Sequence, residues 1–358
     1  MITISLCMIV KNEESFLARC LDSVKDLVEE IIIVDTGSTD KTKEIAYKYT
    51  NKVYDFCWVN DFSLARNYAF SKATKDYQMW IDADDVITED SRSKILELKR
   101  NLKKEIDIVT FKYITHYDKY GDPILISTRG RLFKREKNYL WKESVHEYIG
   151  LCGKIFYADD IFISHKKESS SGDRNLKIYE SKIQKGENLS PRGTYYFARE
   201  LKDNKRYVEA IYYFKKFLDS NLGWIEDNIS TCFNMSICYE LLKDDEKILP
   251  ILLKSFQYDS PRAEIICQIG YYYLNKNDYK KAADWFLIAA NLENSNTLGF
   301  KLKDYWGYIP NIELAVCYYK LGHVDKAILH NEKALKIKPK SQSAINNKNF
   351  FEKLEKNI

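Results

Sequence analysis

Three acidic residues follow an apolar segment in the N-terminal half of the chain. Asp82, Asp84 and Asp85 come directly after the run YQMWI, which has the composition of a buried strand. Asp82 and Asp84 are separated by one residue, so both side chains can point to the same side of an extended segment. Acids this close repel one another unless a cation or hydrogen-bond donors offset their charge. Carboxylates suit Mg²⁺ or Mn²⁺, which commonly bind through one or two of them together with phosphate oxygens. A D-x-D tripeptide alone is more typical of a solvated turn, so the surrounding elements decide between the two interpretations.

Strands and helices alternate over residues 1–168. The sequence predicts strands at 2–10, 30–35, 52–56 and 77–82, and helices at 14–25, from about 40 to 49, and at 62–73. Repeated strand–helix units with short connections favour a parallel sheet covered by helices on both faces. Residues 107–165 predict strands and turns with little helix. We therefore expect an α/β domain with a mixed, mainly parallel sheet and an antiparallel edge.

Polar residues stand at the carboxyl ends of three of the predicted parallel strands. The first strand is followed by Asn12 and Glu13, the second ends in Asp35, and the fourth ends in Asp82. In an open α/β sheet, ligands collect at this edge. The context of the acidic triplet therefore favours a functional site over a solvated turn.

From about residue 172 onward the periodicity is helical throughout, and small residues recur at a fixed spacing. Three of them stand twelve residues before an alanine, and a degenerate fourth unit carries Ser236 and Tyr239; the three pairs are Ala198 with Ala210, Gly270 with Ala282, and Ala315 with Ala327. The pattern is close to the ~34-residue tetratricopeptide (TPR) repeat. A small residue at this position lets the two helices of one repeat approach closely. An irregular helical bundle is the alternative, and Pro250 inside a predicted helix argues against a regular repeat there.

Composition excludes several classes of function. The 358 residues carry a net charge of only +4, which gives no sign of a nucleic-acid partner. There are 13 glycines and neither G-x-G-x-x-G nor G-x-x-x-x-G-K-[ST], which argues against a Rossmann dinucleotide site and a P-loop. The eight cysteines form no C-x-x-C pair. No apolar stretch is long enough for a membrane span, and residues 2–10 lack the basic flank and cleavage site of a signal peptide. We expect a cytoplasmic protein.

Four motifs, in order, carry a resemblance to a known family. The segments SLCMIVKNEE, VDTGSTDKT, NDFSLARN and WIDADD resemble family-2 glycosyltransferases with the GT-A fold, over residues 1 to about 168. The later segments RGRLFKR, KESVHEY and ISHKK look like the subgroup in which TPR helices follow that domain. This subgroup includes bacterial peptide S-glycosyltransferases, which modify a cysteine of a bacteriocin precursor. The resemblance implies metal-dependent, inverting transfer of a sugar from a UDP-sugar to a peptide or protein acceptor, with Mn²⁺ or Mg²⁺ as cofactor.

The resemblance also implies roles for individual residues. Asp35 would accept a hydrogen bond from the uracil imide, Asp82 would hold the ribose, and Asp84 would coordinate the metal that bridges the diphosphate. His165, at the end of the run IFISH, would complete the metal site, although a packing histidine is the alternative. Further contacts to the nucleotide sugar would come from Val10, Asn12, Glu13, Arg66, Asn67 and Ala83.

Direct displacement at the anomeric carbon requires a base opposite the leaving UDP. Glu147 is the first candidate, His146 is its neighbour or alternative, and Asp85 is a rival. A thiol acceptor, with a pKa of about 8.5, needs less help from a base than a hydroxyl does.

Two further residues have both a functional and a structural interpretation. Trp141 could form the floor of the sugar site by apolar stacking, or it could be a core tryptophan. Arg131 lies in a basic run and could reach the diphosphate or an acidic acceptor, or it could belong to a solvated edge strand.

The expected organisation is a GT-A domain at residues 1–168, a linker and helix at 169–187, and a TPR-like domain at 188–358. Residues 166–172 look like a mobile connection that could close over the donor. The repeats would hold the acceptor on a concave surface, and by analogy they could also form a homodimer. Two alternatives stay open: transfer to a cell-envelope glycan, and a TPR scaffold with an inactive transferase domain. The sequence does not decide between Cys, Ser/Thr and glycan acceptors.

Overall fold

The computed structural model describes residues 1–166, 173–293 and 301–356, with side chains up to residue 354. The chain forms two compact units. The first contains Met1–Tyr117 and Leu125–Asn188, and the second contains Asp118–Ile124 and Leu189–Ile358. Most of the expected mobile connection, residues 167–172, lies outside the described residues. Within the described ranges, no helix is both long and apolar enough to cross a membrane.

A mixed sheet forms the centre of the first unit, as the sequence predicts. Its strands are β1 (Ile4–Val10), β2 (Glu30–Asp35), β3 (Val53–Asp55), β4 (Tyr77–Met79), β5 (Asp85–Ile87), β6 (Ile108–Tyr117), β7 (Pro123–Lys134) and β8 (Ile155–His165). Their order is β3-β2-β1-β4-β7-β6-β8-β5. Strands β3, β2, β1 and β4 are parallel, as are β6 and β8. Strand β7 is antiparallel to β4, and β5 forms an antiparallel edge on β8.

Five helices belong to the first unit: α1 (Leu17–Val24), α2 (Thr42–Ala46), α3 (Phe62–Ser71), α4 (Glu89–Asn101) and α5 (Arg174–Gln184). The first two are shorter than predicted, and the residues that precede them hold the adjoining loops together. The Glu13 amide donates to Thr42 Oγ1 at 2.7 Å, and Asn12 Oδ1 accepts from the Thr39 amide at 2.8 Å. Helix α3 begins as predicted, and Asp61 caps it by accepting from the Leu64 amide. Strand β5 and helix α4 are additions to the predicted elements.

The fourth strand ends earlier than predicted, and this changes the geometry of the acidic triplet. Strand β4 stops at Met79 instead of residue 82. The chain then turns, with the Asp85 amide donating to the Asp82 carbonyl at 3.0 Å and the Asp82 amide donating to Asp85 Oδ2 at 3.1 Å. The acids therefore lie in a turn rather than in an extended segment. A carboxylate inside the turn satisfies one of its backbone N–H groups.

Alternating residues of β1 pack into the two apolar layers that cover the sheet. Leu6 and Met8 belong to one cluster with Leu17 and Leu21 of α1. Cys7 belongs to the other cluster, which includes Phe70 of α3. This period of two is the pattern of a strand buried on both faces.

A buried carboxylate ties the amino ends of the central strands together. Glu30, at the start of β2, is 6% exposed and receives hydrogen bonds from the Ser5 hydroxyl and from the Thr74 amide and hydroxyl, the last two at 2.9 Å. Lys52 pairs with the same carboxylate. Burial would raise the pKa of Glu30, but the bonds from Lys52, Ser5 and Thr74 outweigh it and lower the pKa from 4.5 to about 2.

Glu30 should therefore make the stability of the first unit depend on pH. Its carboxylate stabilises the fold fully above about pH 4.5, and this contribution of up to about 3 kcal/mol is lost as the pH falls towards 2, because only the unfolded state takes up the proton. We expect Glu30→Gln to lower the free energy of unfolding at pH 7 by about 1–3 kcal/mol and to flatten its pH dependence below 4.5. Urea denaturation between pH 2.5 and 7 would measure both effects. Exposed Glu97→Gln is the control, and equal pH dependence in the two variants would contradict the prediction.

Helices make up most of the second unit. They are α6 (Pro191–Asp203), α7 (Tyr207–Asp219), α8 (Ile225–Leu241), α9 (Ile248–Lys254), α10 (Ala263–Asn275), α11 (Tyr279–Asn291), α12 (Tyr308–Lys320), α13 (Val324–Ile337) and α14 (Gln342–Lys356), with a two-residue strand β9 (Lys301–Leu302). Helices α6 and α7 pack together, as do α8 and α9, α10 and α11, and α12 and α13. This sequence of helix pairs confirms the predicted TPR-like repeats. Pro250 is the third residue of α9, in a first turn where a missing backbone N–H costs little.

The small residues of the repeat lie where the paired helices meet. Ala198, Ala210, Ala282, Ala315 and Ala327 are completely buried. Gly270 of α10 faces Phe286 of α11 so closely that an added Cβ would lie 2.7 Å from the Phe286 ring. The spacing read from the sequence therefore marks the tightest helix–helix contacts.

Gly270→Ala should destabilise the helical unit by about 1–3 kcal/mol, because the methyl group would overlap the Phe286 ring. Far-UV circular dichroism during urea denaturation would measure the loss. In the double variant Gly270→Ala/Phe286→Leu the smaller side chain leaves room for the methyl group. We expect it to be more stable than the sum of the two single effects implies. Simple additivity would show that the contact is not tight.

Candidate metal and nucleotide-sugar site

The ends of β1 and β2 bring the first group of predicted site residues together. Val10 and Asp35 are paired in register as the last residues of their strands, and both are buried. Asp35 Oδ1 accepts from the amides of Gly37 and Ser38, at 2.9 and 2.8 Å. Asp35 Oδ2 is buried and has no hydrogen-bond partner among the described residues. Asp35 thus carries a buried acceptor oxygen, unsatisfied by the described residues, at the carboxyl end of β2.

The loop after β1 is fastened to the loop after β2. Asn12 has a positive φ of 53°, its amide donates to Ser38 Oγ at 2.9 Å, and its side-chain oxygen accepts from the Thr39 amide. Glu13 uses its amide for Thr42, as described above. Asn12 and Glu13 thus contact the segment that follows Asp35, and their hydrogen bonds shape the loops.

A second group of predicted residues meets where β5 pairs with β8. Asp85 lies opposite His165 in the antiparallel register. His165 Nδ1 is 3.4 Å from Asp84 Oδ1 and 3.3 Å from Asp85 Oδ1. One ligand atom from each of the three residues lies within 4.8 Å of the other two. Two carboxylates and an imidazole at this separation fit a divalent cation, and the imidazole suits Mn²⁺ better than Mg²⁺.

The charge around His165 also fits a cation site. Burial would lower the pKa of His165, but the hydrogen bonds to Asp84 and Asp85 raise it to about 10. A protonated imidazole thus places a positive charge beside the two carboxylates. Asp85 is completely buried, and desolvation raises its pKa even though His165 and Arg131 act in the opposite direction.

Arg66 connects two other predicted residues. Its Nη2 donates to Asp82 Oδ1 at 2.7 Å, and its Nε donates to Glu147 Oε1 at 2.6 Å. The guanidinium lies 4.9 Å from the Trp80 ring and 4.8 Å from the Trp141 ring. Burial raises the pKa of Asp82, but Arg66 and Arg131 outweigh burial and hold it below its usual value. Glu147 is thus held by an arginine, a restraint that its assignment as base did not anticipate.

The remaining predicted residues lie around this ion pair. Asn67 donates to the Trp141 carbonyl at 3.0 Å and accepts from the Trp141 amide at 2.8 Å. Trp141 is 5% exposed and meets Trp80 edge to face at 4.9 Å, and its Nε1 has no hydrogen-bond partner among the described residues. Ala83 is buried in the turn of the acids. His146 is partly exposed, with a φ of 53°, beside Glu147.

Residues 5–158 match the sequence model of the family described as glycosyl transferase family 2. Residues 5–158 of this chain thus carry the sequence pattern of a family-2 glycosyltransferase domain. The acid turn, Asp35 and His165 therefore lie in or directly after the segment that defines this transferase domain.

Similarities to individual proteins cover parts of the chain. The SPbeta prophage-derived glycosyltransferase SunS of Bacillus subtilis is 31% identical over 232 residues, which are 61% of this chain and 54% of SunS. A TPR repeat-containing protein of Synechococcus elongatus is 36% identical over 152 residues, which are 42% of this chain and 36% of that protein. The crystal structure of YrrB, a TPR protein with an unusual peptide-binding site, aligns with a TM-score of 0.38 at 18% identity, over 49% of this chain and 83% of YrrB. The chain therefore spans between a third and somewhat more than half of the two relatives' own lengths.

Sequence reasoning about the transferase domain missed two aromatic residues at the site. Tyr113 of β6 donates to Asp85 Oδ1 at 2.9 Å and lies 3.1 Å from His165 Nδ1. Trp80 contacts both Arg66 and Arg131. Trp80 directly precedes the acid turn, which was a usable signal, whereas Tyr113 is one of 27 tyrosines and nothing local distinguishes it.

Substitution of Asn67 tests whether its side chain stabilises the fold or contacts the nucleotide. Both polar atoms of its side chain are bonded to the Trp141 backbone, so we expect Asn67→Ala to lower the free energy of unfolding by about 1–3 kcal/mol. UDP affinity, measured by calorimetry, should change by less than about twofold, while Asp35→Asn should weaken it more than tenfold, which corresponds to about 1.4 kcal/mol. A large loss of UDP affinity in Asn67→Ala with unchanged stability would instead support a direct nucleotide contact.

Proposed function

We propose that this chain is a metal-dependent, inverting glycosyltransferase that moves a sugar from a UDP-sugar to a peptide or protein acceptor. The observation that carries the proposal is the group of Asp84, Asp85 and His165 at the ligand edge of a family-2 domain. The free oxygen of Asp35 at the same edge supports a nucleotide donor.

The donor would be bound by residues at the ends of the strands. Asp35 would accept the uracil N–H, Asn12 and Glu13 would line the base and ribose pocket with Val10, and Asp82 would accept from the ribose. Asp84 and His165 would hold Mn²⁺ or Mg²⁺ between themselves and the diphosphate. When bound, such a cation would offset the negative charge that develops on the leaving UDP. Arg66 holds the pKa of Asp82 below its usual value and orients the carboxylate through a hydrogen bond to Oδ1.

The acceptor would be activated on the opposite side of the sugar. Glu147 remains the first candidate for the base, and its Oε1 accepts a hydrogen bond from Arg66 Nε at 2.6 Å. A thiol acceptor would need less base assistance than a hydroxyl. His146 is the alternative base. The helical repeats support a peptide acceptor, since stacked helix pairs form extended concave surfaces.

UDP-sugar hydrolysis tests the donor half of the proposal. With Mn²⁺ present and no acceptor, we expect the wild-type chain to release UDP slowly and Asp84→Ala to release it at least about 10²-fold more slowly, since the metal would lose a ligand. Glu97→Gln, which removes an exposed acid of α4, should match wild type. If Asp84→Ala and wild type are both inactive with every UDP-sugar in a panel, the inactive-scaffold alternative replaces the proposal.

A peptide panel tests the acceptor half. Peptides that differ only in carrying Cys, Ser or Ala at one position would be incubated with the accepted UDP-sugar and weighed by mass spectrometry. We expect the mass of one sugar to be added to the Cys peptide, more slowly or not at all to the Ser peptide, and never to the Ala peptide. Donor turnover without any labelled peptide, but with labelled envelope glycan, would replace the peptide acceptor with a glycan.

A further inference from the structure

Arg131, for which the sequence left a ligand contact and a solvated edge strand open, is a completely buried charge. It lies on β7 and is 0% exposed. The antiparallel register pairs Met79 of β4 with Leu132 of β7, which sets Arg131 beside Trp80 and the acid turn. A buried arginine is rare unless a partner offsets its charge.

The partners of Arg131 are two aromatic rings, one carbonyl and one carboxylate. Its Cζ lies 3.8 Å from the centre of the Trp80 ring and 4.5 Å from that of Tyr113. Nη1 donates to the Trp80 carbonyl at 3.1 Å, and Nη2 is 3.5 Å from Asp85 Oδ2. Its Nε and Nη2 make no hydrogen bond with the described residues. Electrostatic attraction to Asp85 and to the two rings therefore holds the guanidinium.

Asp85 transmits this placement to the metal group. One of its oxygens accepts from Tyr113 and lies 3.3 Å from His165 Nδ1. The other accepts from the Asp82 amide and faces Arg131. Asp85 thus contacts both the turn that carries Asp84 and the ring of His165, and Arg131 is a buried cation beside its other oxygen.

Two buried guanidiniums offset part of the negative charge of the surrounding network. Asp82, Asp84, Asp85 and Glu147 contribute four negative charges, and the guanidiniums of Arg66 and Arg131 offset two of them. Without Arg131, the acid turn would hold one uncompensated negative charge more.

We propose that Arg131 is a positioning residue that neutralises Asp85 and holds the acid turn in its metal-binding geometry, and that it is not a contact for the donor diphosphate. The proposal rests on the proposed function for the identity of the ligand. The role of Arg131 in the ligand-free protein is independent of it.

A double-mutant cycle on the metal-free full chain tests the neutralisation. Hydrogen exchange of β4 and of residues 125–134 of β7 reports on the first unit. We expect Arg131→Met to increase the exchange rate of protected amides there by about 10²-fold or more, because Asp85 is left buried without its cation. The double variant Arg131→Met/Asp85→Asn should exchange at least about tenfold more slowly than Arg131→Met. Arg131→Lys should exchange at a rate between those of wild type and Arg131→Met. If the two single changes simply add, Arg131 does not neutralise Asp85 and the proposal is overturned.

Binding measurements separate positioning from ligand contact. Because Mn²⁺ supplies the missing positive charge, its addition should slow exchange more in Arg131→Met than in wild type, and UDP affinity at saturating Mn²⁺ should fall by less than about threefold. The proposal is overturned if Mn²⁺ slows hydrogen exchange equally in both proteins. It is also overturned if Arg131→Lys loses more than about tenfold in UDP affinity while its hydrogen-exchange rates are unchanged. If wild type binds neither Mn²⁺ nor UDP, the proposed function fails, while the cycle still decides the role of Arg131.

Discussion

Repulsion among buried acids is the constraint on which the site of the first unit depends. Asp82, Asp84 and Asp85 lie within one turn, and two of them are almost completely out of water. Such a turn is stable only if positive charge and N–H donors surround it. Arg66 and Arg131 provide the charge, with Trp80 against both guanidiniums, and the Asp82 amide and the Tyr113 hydroxyl provide donors. The strand order meets this requirement. Because β7 lies beside β4 and β5 pairs with β8, Arg131 and His165 both lie at the turn.

The central strands and the ligand edge were predictable because they depend on local apolar runs. Strand β2 has the predicted bounds, and Asp35 ends it as expected. Strand β5 could not be foreseen, since it begins at Asp85 itself and a three-residue strand that starts with a buried acid has no apolar signature. Arg131 illustrates the same limit, because a basic run alternating with apolar residues normally indicates a solvated face. Only the pairing with β4 puts this arginine inside, and pairing partners are not encoded locally.

The helical half was predictable for a different reason. The repeat is visible as small residues at helix–helix contacts that leave no room for a larger side chain. Gly270 against Phe286 is the clearest example. Sterics of this kind leave a pattern in the sequence even when the larger side chains vary. The candidate catalytic and binding side chains follow no such periodic spacing. Glu147 could therefore be named as a candidate base, but its hydrogen bond to Arg66 could not be predicted.

The position of Arg131 on β7 has a consequence for the order in which the first unit is built. A chain synthesised from its amino terminus presents the three acids before the arginine and the histidine that accompany them have been made. Strands β1 to β4 are synthesised first, and they pair with one another through mainly apolar residues. The turn of acids has no internal cation from Arg131 until β7 has been added beside β4, and no histidine until β8 is complete. Folding of the nascent domain is therefore completed at its ligand edge, where β7 is added next to β4, a strand that is synthesised earlier.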